Sequence, residues 1–316
     1  MYAVIDIGSN TMRLSIYHYE DGKFNIMIHK KEMAGLAGYV EHGMLSAEGI
    51  QKACEVLISF RKITDHFSGI EVFAFATASF RNVDNTKEIL ETISMKTGYQ
   101  VEVLSGKEEA KLDFRGMLFD VSQKEGLVVD IGGGSTELVL FKKNKMLYAD
   151  SLNFGSLSLY KECVYQILPK KKEIEEIKQI VTDSLGGIQQ IGTIVLDAYG
   201  ELEHSEQKVD TICGVGGTIR ATLKLCNYIY HKDSSNRIIT KKEFDKIYED
   251  LIDKKWMNYK IVLKICPDRI HTIIPGLIIM KTIMEQWKIK KIIVSNYGVR
   301  EGYLIHAINQ KNNITT

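Results

Sequence analysis

The sequence predicts an α/β protein of two domains that are copies of one unit. The segment Val4-Ile5-Asp6-Ile7-Gly8-Ser9-Asn10-Thr11 recurs without gaps as Val128-Val129-Asp130-Ile131-Gly132-Gly133-Gly134-Ser135. Each copy is an apolar run ending in aspartate, then a Gly/Ser/Asn turn and a second apolar run, which predicts strand, tight turn and strand. A chain of 316 residues is also longer than a domain with one hydrophobic core usually is. We expect a first domain over 1–123 and a second over 124–300, with 301–316 packing back on the first.

Helices are predicted between the strands. Ser46 begins one predicted helical stretch, and Thr240 with Glu243 has capping-box spacing ahead of another. The apolar positions at helical spacing behind these caps are Ile50, Cys54, Leu57, Phe60, Phe244, Ile247 and Leu251. Pro169 predicts the start of another long helix that runs towards Gly186-Gly187, where we expect a break or kink. The pattern is alternating α/β.

Composition excludes several classes of protein. Hydrophobic residues make up 45% and charged residues 26%, which is ordinary for a soluble globular protein. The net charge of +1 provides no field that would attract nucleic acid or an anionic membrane. The 5 cysteines are scattered and odd in number, which argues against a disulfide framework and favours a reducing, cytoplasmic location. The apolar stretch Ile273–Met280 contains Pro275 and Gly276, and we expect neither a membrane span nor a signal peptide.

The two repeated turns are candidate phosphate-binding loops. Small residues, backbone N–H groups and hydroxyls can surround phosphate oxygens without steric hindrance. The residues concerned are Gly8, Ser9, Asn10, Thr11, Gly132, Gly133, Gly134, Ser135 and Thr136. Asp6 and Asp130 precede the loops, and we expect these carboxylates to hold Mg²⁺ between protein and phosphates. The alternative is that each loop is only a hairpin turn.

A strand after the turn separates these loops from the Rossmann fingerprint and the P-loop, because both motifs require a helix there. Two similar hairpins suggest instead that each half offers one loop to a shared cleft. A third turn, Gly214-Val215-Gly216-Gly217-Thr218, follows a short apolar run and opens a predicted helix. A helix N-terminus can bind an anion, so Gly216 and Gly217 are candidate phosphate ligands, against a plain strand-to-helix turn.

Hydrolysis requires a base that positions and deprotonates water, and Glu108 and Glu109 are candidates at a predicted helix start. Ser105 and Glu108 have capping-box spacing, so Glu108 is expected to bond to the backbone while Glu109 points elsewhere. The alternative is that both carboxylates only complement the helix dipole.

Two further side chains are candidates for the site. Glu137 follows the second loop directly and can complete a metal or water site with Asp130, unless it is an exposed strand residue. Arg81 follows the apolar run Val72–Ala76 and can clamp phosphate, because guanidinium donors match phosphate geometry. A surface salt bridge is the alternative for Arg81.

At these residues the sequence resembles the exopolyphosphatase and guanosine pentaphosphate phosphohydrolase (Ppx/GppA) family, nearly end to end. The landmarks are Asp6-Ile7-Gly8-Ser9-Asn10-Thr11 with Arg13, Gly43-x-Leu45-Ser46, Ala76-Thr77-Ala78 with Arg81, Ser105-Gly106-x-Glu108-Glu109-Ala110, Asp130 to Glu137, Gly214-x-Gly216-Gly217-Thr218 and Arg300-Glu301-Gly302. The resemblance implies a duplicated actin-like (ribonuclease H-like) fold of the sugar kinase, heat-shock ATPase and actin superfamily, with the active site in the interdomain cleft.

The resemblance also implies chemistry. Glu109 would be the general base, Asp130 and Glu137 would support metal and water, and Arg81 and the loops would hold phosphates. Family members cleave terminal phosphates from polyphosphate, pppGpp or both, with Mg²⁺ and often as dimers. We therefore expect a Mg²⁺-dependent exopolyphosphatase that forms a homodimer, without the C-terminal HD-type domain of longer members.

Two regions of the chain depart from the family pattern. Gly35 stands where an arginine is common before the leucine matching Leu36, and Ile219-Arg220 replaces small residues after the third turn. Both changes lie near the expected substrate channel, so the substrate preference and any nucleotide subsite are not determined by the resemblance. The alternatives are pppGpp 5′-phosphohydrolysis, a kinase reaction on the same fold, and a non-catalytic sensor of polyphosphate or nucleotide, or a filament former.

Overall fold

The computed structural model describes residues 1–20, 23–198, 209–252 and 256–311. The chain divides into two compact units, one of Met1–Glu109 with Tyr303–Thr316 and one of Ala110–Gly302. The sequence-based boundary lies near residue 124, and the unit boundary lies inside a helix. Residues 312–316 of the segment expected to pack back on the first domain lie outside the described residues.

Groups of strands and groups of helices follow one another along the described chain. The strands are β1 (Tyr2–Ile7), β2 (Met12–Glu20), β3 (Lys23–Glu32), β4 (Val40–Glu41), β5 (Met44–Leu45), β6 (Glu71–Ala76), β7 (Val101–Val103), β8 (Glu125–Ile131), β9 (Thr136–Lys142), β10 (Lys145–Leu152), β11 (Thr211–Val215), β12 (Ile238–Thr240) and β13 (Lys291–Val294). The helices are α1 (Ala47–Thr64), α2 (Ala78–Arg81), α3 (Thr86–Thr97), α4 (Gly106–Met117), α5 (Ser156–Cys163), α6 (Lys171–Ala198), α7 (Gly216–Ile229), α8 (Lys241–Ile252), α9 (Trp256–Ile265), α10 (Ile273–Gln286) and α11 (Val299–Lys311), with 3₁₀ turns at Leu36–Tyr39 and Pro267–Arg269.

The first unit contains a mixed sheet whose described strands have the order β3-β2-β1-β6-β7. Strand β1 pairs antiparallel with β2 and parallel with β6. Ala3, Ile5 and Ile7 of β1 are fully buried in one core cluster with residues of α1 and α3. Because side chains alternate along a strand, Asp6 lies on the other face of this sheet.

The second unit repeats this arrangement. Its described strands have the order β10-β9-β8-β11-β13-β12, with β8 antiparallel to β9 and parallel to β11. Leu127, Val129 and Ile131 of β8 lie in a large cluster with residues of α5, α6, α7 and α10. Val128 lies in a separate cluster with Phe114 of α4. The equivalent strand orders confirm the predicted α/β class and the duplication.

Helices α1 and α8 begin where the sequence predicts, after Ser46 and Thr240. The amide of Gly49 donates to Ser46 Oγ at the start of α1. At α8 the capping box is complete, since Glu243 N–H donates to Thr240 Oγ1 and Thr240 N–H donates to Glu243 Oε2. Local side-chain bonds of this kind need no tertiary context, which is why the sequence reveals them.

Helix α6 runs from Lys171 to Ala198 through both glycines, so the expected break at Gly186-Gly187 is wrong, while a kink there stays a prediction. Glycine costs about 1 kcal/mol in a helix interior relative to alanine. The apolar face of α6 offsets that cost, since Ile177, Val181 and Leu185 are fully buried. Among the described residues, no helix has both the length and the apolar character needed to cross a membrane.

Candidate active site

The first repeated turn, loop 1 (Gly8–Thr11), joins β1 to β2. Gly8 N–H donates to the Thr11 carbonyl at 3.1 Å and closes the turn. The carbonyl of Ser9 accepts from Ala37 N–H at 2.8 Å, and that of Asn10 accepts from Gly35 N–H at 2.9 Å. Two successive carbonyls of loop 1 therefore point towards the segment that follows β3.

Gly35 occupies the left-handed region with φ 61°. A residue with a Cβ is disfavoured there by about 1–2 kcal/mol, although no atom lies within 4 Å of the position that the Cβ would take. The glycine that departs from the family pattern thus has a backbone role, because its amide holds loop 1.

The second repeated turn, loop 2 (Gly132–Thr136), joins β8 to β9 in the same manner. Gly132 N–H donates to the Ser135 carbonyl at 3.0 Å. The Gly132 carbonyl accepts from Ser156 N–H, and the Gly133 carbonyl accepts from the amides of Leu157 and Ser158, each at 2.9 Å. The first turn of α5 therefore holds loop 2.

This tethering determines where the loop amides point. In a planar trans peptide the carbonyl of one residue and the N–H of the next have opposite directions. The amides of Asn10 and Thr11 therefore point away from the segment that holds loop 1. Those of Gly133 and Gly134 point away from α5. Consecutive N–H groups with a common direction form an anion-binding concavity, so each unit carries one such pair.

Asp6 lies directly before loop 1 and is 7% exposed. Its Oδ2 forms an ion pair with Arg13 Nη1 at 3.4 Å. Asp6 and Arg13 are directly paired in the β1–β2 ladder, so their side chains lie on one face. In this structure the carboxylate predicted to hold a metal therefore has a guanidinium partner.

Glu108 and Glu109 are separated as the sequence predicted. Ser105 N–H donates to Glu108 Oε2 at 2.8 Å and Glu108 N–H donates to Ser105 Oγ at 3.2 Å, which confirms the capping box. Glu109 is 8% exposed. It accepts from Arg81 Nη1 at 2.8 Å, and the same nitrogen donates to the Leu104 carbonyl at 2.9 Å. Arg81 therefore orients Glu109, a contact that the sequence did not predict.

The second unit holds its two predicted carboxylates side by side. Asp130 and Glu137 are directly paired in the β8–β9 ladder. Glu137 is 2% exposed, so it is a buried group and the alternative of an exposed strand residue is wrong. Its Oε1 accepts from Ser151 Oγ at 2.8 Å.

The third turn lies against Asp130. Gly216 has φ 77°, and a Cβ at this position would collide with the Asp130 carboxylate. Both the backbone conformation and the space therefore require glycine. A Cβ on Gly217 would collide with the guanidinium of Arg269, so an arginine lies at the N-terminus of α7. That end of a helix favours anions.

Asp130 and Glu137 are a donor set that fits Mg²⁺. Magnesium in phosphoryl-transfer sites is bound through one or two carboxylates together with substrate phosphates and water. The parts of the chain that the structure describes contain no group of three or more His, Cys, Asp or Glu side chains able to hold a metal ion. A pair of carboxylates beside loop 2 agrees with a cation that is completed by substrate.

The predicted residues thus fall into two sets. One set, in the first unit, contains loop 1, Asp6, Arg81 and Glu109, and the other contains loop 2, Asp130, Glu137 and the third turn. The shared cleft stays a prediction. Sequence reasoning missed Arg269 and Ser151. Neither belongs to a local motif, and only strand register brings Ser151 to Glu137.

Comparison with known proteins gives the same family as the sequence motifs. A model described as the Ppx/GppA phosphatase family matches residues 15–311. A putative exopolyphosphatase of Haemophilus influenzae is 24% identical over 96% of this chain and 90% of its own length. A guanosine-5′-triphosphate,3′-diphosphate pyrophosphatase of Vibrio campbellii is 25% identical over 98% of this chain. This chain spans 60% of that relative's length.

The fold agrees with a solved relative. The crystal structure of the Aquifex aeolicus Ppx/GppA family member has a TM-score of 0.77 and 27% identity, and the match covers 98% of each chain. With the matching sheet orders, this likeness confirms the predicted actin-like fold. A family model that spans nearly the whole chain and a solved member of the same fold lead to one conclusion: the chain belongs to the Ppx/GppA phosphatase family.

Proposed function

We propose that this protein is an exopolyphosphatase that hydrolyses the terminal phosphoanhydride bond of inorganic polyphosphate with Mg²⁺. The observation that carries the proposal is the repeated tethering of loop 1 and loop 2, which gives each unit a pair of amides with a common direction. Two anion-binding loops in one chain suit a substrate with several phosphates. The polyphosphate and pppGpp activities named for relatives support the reaction class and do not choose between the substrates.

In the proposed reaction Glu109 aligns water for attack on the terminal phosphorus, and Arg81 holds Glu109 in place. The loop amides and Arg269 bind phosphate oxygens. Asp130 and Glu137 would hold Mg²⁺, which would neutralise charge on the phosphates. Phosphoryl transfer depends mainly on positioning and charge neutralisation, so we expect the loops and carboxylates to contribute at least as much as the base. The union of both sets in one site is part of the proposal.

The preference for polyphosphate over pppGpp comes from the residue types. In this proposal the donors to substrate are the loop amides, the loop hydroxyls and the Arg269 guanidinium, and none of these residues is aromatic. Such groups bind phosphate oxygens and provide no ring on which guanine could stack. Hydrolysis of pppGpp is the second candidate, favoured by the relative from Vibrio campbellii.

The test compares phosphate release from long-chain polyphosphate, pppGpp and ATP with Mg²⁺. We expect polyphosphate to be the best substrate by kcat/KM. The variant Asp130→Asn should lose on the order of 100-fold or more, as electrostatic elements of such sites do. Asp150→Asn is the matched control, since Asp150 lies in β10 and accepts from Tyr148 Oη at 2.7 Å. Cleavage of pppGpp alone would keep the mechanism and reject the substrate, and binding without cleavage would indicate a sensor.

We further propose a homodimer that works in the cytoplasm. The cysteines Cys54, Cys163, Cys213, Cys226 and Cys266 are buried free thiols. Burial raises the pKa of Cys213 to about 12, so this thiol is protonated and unreactive at neutral pH. These facts support a reducing compartment.

Light scattering of the purified chain would test the proposed homodimer, and a mass of 35.9 kDa, that of one chain, would reject it.

A further inference from the structure

A polar row crosses three strands of the second unit beside loop 2. Asp130 of β8 is paired with Glu137 of β9, and Glu137 is paired with Ser151 of β10. Directly paired residues point to the same face of a sheet. The row therefore consists of two carboxylates and, at its outer end, a hydroxyl.

The Ser151 hydroxyl acts on one oxygen of Glu137. It donates to Oε1 at 2.8 Å, while Glu137 is 2% exposed. The terminal torsion of a glutamate is broad and is not fixed by rotamer preference. A hydrogen bond to one oxygen therefore restrains the rotation of this carboxylate.

The position of the hydroxyl also matters electrostatically. Two carboxylates directly opposite each other repel, and burial strengthens the repulsion unless a cation or a proton lies between them. Ser151 donates from the side of Glu137 that faces away from β8, because β9 lies between β8 and β10. It supports the charged form of Glu137 without occupying the space next to Asp130.

We propose that Ser151 is a positioning residue for the divalent-cation site. Its hydroxyl holds the Glu137 carboxylate in the orientation that binds the cation together with Asp130. The inference rests on the proposed function, since it concerns the same site. Residues that orient metal ligands in this way typically change metal affinity or activity about 10- to 100-fold when they are replaced.

The test measures Mn²⁺ binding to the full chain without substrate, by the loss of the free-ion paramagnetic resonance signal, with Mg²⁺ as competitor. Ser151→Thr and Ser151→Val form an isosteric pair that differs in the hydroxyl. We expect Ser151→Thr to bind like the wild type and Ser151→Val to bind about 10-fold or more weakly. The control is Tyr303→Phe, which removes a hydroxyl–carboxylate bond to Glu102 in the first unit and should leave Mn²⁺ binding unchanged.

The outcomes separate this inference from the proposed function. Equal Mn²⁺ affinity of the threonine and valine variants, or no Mn²⁺ binding by the wild type, would overturn the role of Ser151. A difference between the two variants, with equal thermal unfolding, would support it even if polyphosphate were not hydrolysed. Hydrolysis with unchanged metal binding in both variants would keep the function and reject the positioning role.

Discussion

Replacement of Glu109 by glutamine tests the general base while it keeps a partner for Arg81. Glutamine retains an oxygen where Glu109 Oε2 accepts from Arg81 Nη1 at 2.8 Å. Arg81 remains charged, so glutamine keeps a charge-assisted hydrogen bond and loses the ion-pair attraction of a largely buried pair. The free energy of unfolding should therefore fall by at least about 1 kcal/mol.

The effect on activity should be much larger. Removal of a general base costs about 10²- to 10⁴-fold in rate. At about 1.36 kcal/mol for each factor of ten, the barrier rises by about 2.7–5.4 kcal/mol. A change in activity that exceeds the change in stability by this margin indicates a chemical role of Glu109.

The assay is phosphate release from polyphosphate at saturating substrate and Mg²⁺, together with urea unfolding of each variant. Glu108→Gln is the matched control, because Glu108 lies one position earlier in α4 and glutamine also completes a capping box. Its kcat should stay close to that of the wild type. A Glu109→Gln enzyme that retains more than about a tenth of the wild-type kcat would refute the assignment of the base, for which the loss should be at least about 100-fold.

Four further predictions concern other parts of the chain. Gly216→Ala should lower the free energy of unfolding by at least about 1 kcal/mol and reduce activity, because φ is 77° and the Cβ would displace Asp130. Gly186→Ala should raise the free energy of unfolding by about 0.5–1 kcal/mol, because the added Cβ enters open space within α6. Urea unfolding measures the stability of both glycine variants. Arg269→Ala should raise KM for polyphosphate more than it lowers kcat, and an unchanged KM would contradict a phosphate contact. Burial and a hydrogen bond to a carboxylate raise the pKa of Tyr303 above its ordinary 10.0. The folded state retains this proton longer, so stability falls as pH rises above about 10, less steeply in Tyr303→Phe.

Much of the fold was predictable because its signals are local. The strand–turn–strand repeats depend on apolar runs and on turn residues, and the structure confirms β1–β2 and β8–β9. The capping boxes at Ser105 and Thr240 join residues three positions apart. Interactions within one turn of chain are encoded by neighbouring residues, so spacing alone reveals them.

The contacts that complete the site were not predictable, because they join distant residues. Arg81 and Glu109 are 28 residues apart in the sequence, and only the tertiary fold brings their side chains together. Ser151 reaches Glu137 through strand register, and Arg269 reaches Gly217 through packing. The wrong break at Gly186 has the same origin, since burial of one face of α6 outweighs local propensity.

The backbone tethering of loop 1 and loop 2 has a consequence for evolution after duplication. Any residue except proline can supply the amides that hold the loop carbonyls. The two copies could therefore diverge in side chains, and the tethered carbonyls could shift by one position, from Ser9-Asn10 in loop 1 to Gly132-Gly133 in loop 2, while each loop kept two outward amides. Selection for phosphate binding would then act on chain geometry more than on residue identity. A common ancestry can remain visible in hydrogen bonds where side chains no longer record it.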